Sequence, residues 1–235
     1  MLPVTLLADL APLRHVVYAF TVSIQSERTV HASGLSSGDP GSGQLPSGIA
    51  TFNGAVSDRG TITVDVLQAA GDGGLVVRVS EDAREERTAK AADCAVYGER
   101  AQALCGSDQK VNDEELDLLQ SIGRFFFQPE RLDEKQHWRV DVTSGPYSDA
   151  ADFSVQSRQG DVMQIGLERV GKAAGAQPYT NVSDGTITYD SALSIPTKIV
   201  EHTVTRSHVG MGQDDKVDTY VTLLLQADSM GARAP

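Results

Sequence analysis

Residues 14–24, RHVVYAFTVSI, put Val16, Tyr18, Phe20, Val22 and Ile24 at alternate positions, with His15, Ala19, Thr21 and Ser23 on the other parity. Side chains of an extended chain alternate between two faces, so this pattern predicts a half-buried β-strand. The same period returns in GTITVDVL, where Ile62, Val64 and Val66 share a face, and in GGLVVRVSE, with Leu75, Val77 and Val79. It is strongest near the end of the chain, where Val217, Thr219, Val221, Leu223 and Leu225 line one side.

Turn chemistry separates these runs. Gly71-Asp72-Gly73-Gly74 stands between two strand patterns and suits a hairpin, because Gly and Asp tolerate positive φ. GMGQDD at 210–215 joins the last two strands in the same way. Further strands are expected at 150–157, 161–170, 184–191, 196–207 and 216–228, with Trp138, Val140 and Val142 on one more. About ten strands then surround one short helix at 113–122. Its signals are Asn112 as cap, Glu115 three residues on, a stripe of Leu116, Leu119 and Ile122 widened by Leu118, and Gly123 as stop. Asp113, Glu114 and Glu115 sit at the positive end of that helix, which accounts for them without catalysis. The expected fold is mainly β: an antiparallel curved sheet or open half-barrel with one short central amphipathic helix. One domain over 1–235 is expected, with a flexible Gly/Ser/Pro loop at about 33–48.

Charge and motif content narrow the function. Lys plus Arg is 20 against 32 Asp plus Glu, a net charge of −12. No basic cluster offers a duplex or an anionic membrane a surface, so nucleic acid is excluded as a partner. No apolar run is long enough to form a transmembrane segment. Gly34-Leu35-Ser36-Ser37-Gly38 matches a nucleophile elbow in letters only, since it lies in a low-complexity loop without the strand and helix that strain the serine. His31 is near Ser36 in sequence, but a loop cannot hold catalytic geometry. Asn181-Val182-Ser183 is a short sequon of the kind that chance supplies. Asp184, Asp190, Asp214 and Asp215 lack the order of a calcium loop and are expected as turn residues. No enzyme activity, metal or cofactor is expected.

Cys94 and Cys105 are the only cysteines. No CxxC or HxxxH spacing accompanies them, which disfavours zinc and redox chemistry. Two core thiols or a disulfide remain. The even count and a hairpin placement of CAVY and AQAL, joined by the polar turn GER, favour the bridge and with it an exported protein, periplasmic, cell-surface or secreted. Residues 1–12, MLPVTLLADLAP, are apolar but lack a basic start and are interrupted by Asp9, so any export signal is expected outside this numbering.

The strand VVYAFTVSI, the helix NDEELDLLQSIG, the segment FFFQPERLDEKQHWRV and the closing hairpin 196–228 together resemble the LolA/LolB-type lipoprotein carriers of bacterial envelopes. The resemblance implies an open, curved sheet with helix on its concave side; the function expected of that sheet is an exported, non-enzymatic binding or carrier domain with an apolar or lipid-like ligand as partner. On that expectation Leu116, Leu119, Phe125, Phe127 and Trp138 would border the ligand. The alternative is an envelope or cell-surface module without a small ligand, recognising another envelope protein through an exposed apolar patch.

Overall fold

The computed structural model describes residues 11–32, 48–70, 74–83, 91–97, 102–105, 111, 113–123, 136–144, 147–175, 178–209 and 212–230. Its elements are β1 (Arg14–Ala32), β2 (Gly48–Ala69), β3 (Leu75–Ala83), β4 (Ala91–Tyr97), β5 (Gln102–Cys105), α1 (Asp113–Gln120), β6 (His137–Ser144), β7 (Tyr147–Gln159), β8 (Val162–Ala173), β9 (Tyr179–Asp190), β10 (Ile195–Val209) and β11 (Gln213–Asp228). The eleven strands form one antiparallel sheet in the order β5-β4-β3-β2-β1-β11-β10-β9-β8-β7-β6. The sheet is not closed, and β5 and β6 are its edges. It is the expected mainly-β, open arrangement.

Each strand pairs with its sequence neighbour except at two places. β1 and β11 meet in the middle of the sheet, with Val22 opposite Val221. Between β5 and β6 the chain leaves one edge and returns at the other, and α1 lies on that crossover. The described part of the helix rests against β4, β5 and β11.

The alternation in the sequence becomes one buried face. Val16, Tyr18 and Phe20 of β1, Ile62 and Val64 of β2, Ile165 of β8 and Leu223 of β11 are at most 2% exposed. Leu118, Leu119 and Ile122 of α1 join the same core. Full burial of each such side chain contributes about 2 kcal/mol, so the amphipathic stripe suffices to dock a helix too short to stand alone. The helix stops two residues earlier than its apolar stripe. Ser121 and Ile122 bond back to Leu118 and Leu119 in a tightened final turn, and Gly123 follows at φ 109°. The buried Tyr18 hydroxyl donates to the Pro196 carbonyl at 2.7 Å, satisfying its one polar atom.

Two strands run well past their predicted ends. β1 continues to Ala32, and β2 begins at Gly48 although its alternation is clear only from residue 60. The predicted 33–48 loop therefore ends one residue earlier, and its remaining residues lie outside the described ones. The extra length carries mostly exposed residues on both faces, so no core imposes a hydrophobic period there.

Candidate binding site

Cys94 and Cys105 are directly opposed in β4 and β5 and are joined by a disulfide. Of the residues expected around a ligand, Leu119 is fully buried and Leu116 half-buried. Leu118 and Leu119 have no accessible surface, so no water-sized space touches them. Trp138 stacks on Phe153 with centroids 5.1 Å apart, within the core cluster. Phe125 and Phe127 lie outside the described residues, as do Ser36, Asn112 and the Gly71–Gly73 turn.

Beside the helix the core face turns polar. Arg169 of β8 lies at a core-facing position two residues beyond Leu167. Its Nη1 donates to Asp117 of α1 at 2.8 Å and lies 3.6 Å from Glu201 of β10, while its Nε is 3.6 Å from Asp149 of β7. One guanidinium thus faces three carboxylates. Burial alone would lower the Arg169 pKa, but Asp117, Glu201 and Asp149 outweigh burial and raise it. Burial, reinforced by the Asp117 carboxylate, pushes Glu201 up to about 8, with Arg169 pulling the other way. Burial also raises Asp149 against the opposing pull of Arg169. Ser183 and Thr203, hydrogen-bonded to each other at 2.8 Å, complete the floor.

Further along the strands this face opens. Phe52 and Val56 point to the core side of β2, in register with Arg28 and Ile24 of β1, yet are 60% and 66% exposed. They stand beside a cleft of about 620 Å³ formed across β2, β1 and β11, with Val30, Phe52 and Val217 among its walls and Arg28 and Asn53 at its rim. That size is typical of a small-ligand pocket. Gly54 forms part of the floor, and a Cβ there would come within 2.8 Å of the Ser26 hydroxyl. Arg28 is held by a two-pronged bond to Asp215, at 2.9 and 3.1 Å. The lining is therefore mixed: Val30, Phe52 and Val217 share it with Ser26, Gln213 and the fixed Arg28–Asp215 ion pair.

Other sequence signals are absorbed by structure. Asn181 lies within β9 with its amide over Gly171, not in an open loop. Asp190 caps the β9–β10 turn by accepting from the backbone of Ala192 and Leu193. Asp184, Asp214 and Asp215 belong to strands, not turns, and pair with His202, His208 and Arg28 respectively. Among the described residues no group of three His, Cys, Asp or Glu side chains has metal-binding geometry. Sequence analysis missed Phe52, Val56, Arg169 and Glu201. A weak signal existed: Ala50, Phe52 and Val56 keep the period of two, and Arg169 and Glu201 are charges at inward strand positions.

No protein-family model matches the chain, and comparison with curated proteins finds no match.

Proposed function

We propose that this chain is an exported, non-enzymatic binding or carrier domain that holds an apolar, lipid-like ligand on the core-facing side of its sheet. The observation that carries the reading is the cleft walled by Val30, Phe52 and Val217, beside which Phe52 and Val56 keep most of their surface in water. An apolar ligand there removes that surface from water at about 25 cal/mol per Å². The disulfide supports an oxidising compartment. The charged pair Arg169 and Glu201 is engaged beside the helix and is assigned to holding it. A carrier of the LolA/LolB kind fits the open sheet.

Titration with the neutral dye N-phenyl-1-naphthylamine, followed by displacement with palmitate, tests the reading. Saturable binding is expected, weakened at least about tenfold by Phe52→Ser. Absence of saturable binding, or an affinity indifferent to Phe52→Ser, overturns it.

The second reading, an interaction module for an envelope protein, rests on the opposite face. Val170, Val182, Val200 and Leu224 lie there between 40% and 47% exposed. Cross-linking to an envelope protein that is lost in Val182→Asp, with no dye bound, would favour it.

A further inference from the structure

The face of the sheet turned away from the helix carries a different chemistry. Ser148, Lys172, Thr180, Arg206, Lys216 and Glu27 are consecutive partners across six neighbouring strands, from β7 to β1. All six line one cleft of about 750 Å³ at the end of the sheet. In this acidic chain most described bases are taken: Arg14 by Asp228, Arg28 by Asp215, Arg78 by Asp93, Arg139 by Asp141 and Asp152, and Lys216 by Asp218. Lys172 and Arg206 have no ion-pair partner among the described residues, and they flank the Thr180 hydroxyl on adjacent strands. The acids in the same cleft are otherwise placed. Asp214 accepts from His208 at 2.7 Å and lies 3.3 Å from His31, Asp215 holds Arg28, and Glu27 sits opposite Lys216 at the far end of the row.

We infer that Lys172, Thr180 and Arg206 form a binding site for the phosphate group of a small phosphate ester, separate from the apolar cleft on the other face. Two strand spacings put the Lys172 and Arg206 backbones about 10 Å apart, so their long side chains can converge above Thr180. A guanidinium fork, an ammonium point charge and the hydroxyls of Thr180 and Ser148 supply more donors than a carboxylate accepts, and match the three oxygens of a phosphate dianion. Pro178 in the same cleft offers the ester's organic part an apolar surface.

Calorimetric titration of the full chain with phenyl phosphate tests the site, with benzoate as the carboxylate comparison. Saturable phenyl phosphate binding is expected, at least about tenfold tighter than benzoate. Lys172→Gln and Arg206→Gln, both exposed and harmless to the fold, should each weaken it about tenfold, because each removes charged hydrogen bonds. Lys198→Gln, an exposed cation outside the cleft, should leave it unchanged. No binding, equal binding of benzoate, or binding indifferent to Lys172→Gln and Arg206→Gln overturns the assignment. Glu27, Asp215 and Lys216 border both clefts, but Phe52 lines only the one and Lys172, Thr180 and Arg206 only the other, so the effect of Phe52→Ser on dye binding and these results are read separately.

Discussion

Asp117 on α1 and Arg169 on β8 stand 2.8 Å apart, and this ion pair fastens the helix to the β6–β11 arm of the sheet. The helix otherwise rests on β4, β5 and β11. The pair therefore adds a second hold on the arm that β11 also belongs to, while β4 and β5 hold the helix from the other arm. Removing one partner of a buried pair is costlier than the pair's net worth, because the other charge stays behind without its counterion. Arg169→Met leaves Asp117, Asp149 and Glu201 facing one another and is expected to cost about 3 kcal/mol in urea unfolding. A double-mutant cycle with Asp117→Asn should return a coupling of about 1 kcal/mol or more. A coupling near zero would show that the helix is held by its leucines alone.

Glu201 gives stability a pH dependence of unusual sign. Its folded pKa, raised to about 8, lies above the ordinary 4.5, so the folded chain binds the extra proton between these values. Stability should fall as pH rises from about 4.5 to 8 and then level off. Asp149, also raised, adds to the same trend. Asp214, Asp215 and Asp218, lowered by His208, Arg28 and Lys216, act oppositely, and their stabilisation is lost as acid protonates them. Glu201→Gln should flatten the alkaline decline and gain about 2 kcal/mol at pH 8.5. Thermal melts at pH 5, 7 and 8.5 check this, and parallel curves for the two proteins would remove Glu201 from the account.

Two glycines on the core face predict a graded response. A Cβ on Gly171 would first meet the Asn181 amide, 1.9 Å away, at the end of a side chain that can turn. A Cβ on Gly185 would meet the backbone carbonyl of Val200 at 2.7 Å, which cannot yield without disturbing the ladder. Gly185→Ala should therefore be the more destabilising, by about 1 kcal/mol or more. Asn181→Ala should rescue Gly171→Ala and do nothing for Gly185→Ala. Chemical denaturation of the five variants decides the order.

The disulfide ties the short β5 to β4 at the edge of the sheet. Replacing Cys94 and Cys105 with Ser should cost about 3 kcal/mol, in line with a closed loop of about a dozen residues. Backbone exchange should rise first in β5. Non-reduced peptide mapping checks the bond itself, and two free thiols in oxidatively prepared protein would contradict the structure.

The parts of the fold that were legible in the sequence are those with a buried face. Val16 to Val22, Ile62 to Val66 and Leu223 each announce a strand because every second residue is taken from water. The helix announced itself through Leu118, Leu119 and Ile122 for the same reason. The outer reaches of β1 and β2 stayed hidden because Ser26, Glu27, Asn53 and Gly54 meet solvent or a shallow cleft, and neither selects one parity. The polar site was hidden differently. Arg169 and Glu201 stand 32 positions apart in the chain and on strands separated by β9, so only the register brings them together. The six-residue row from Ser148 to Glu27 likewise draws on six strands and has no local spacing.

The meeting of β1 with β11 at the centre of the sheet has a consequence for biosynthesis. When β1 to β5 have left the ribosome, the inner edge of that arm, the whole length of β1, still lacks the strand that will cover it. That edge waits while residues 106–212 are made, exposing unpaired backbone and the apolar parity of Tyr18 and Phe20. The final strand then acts as a keystone, joining two preformed arms at once. Nascent chains halted before Gln213 should accordingly be the species most in need of a holding chaperone, and the slowest step of refolding should be the late closure of β1 on β11.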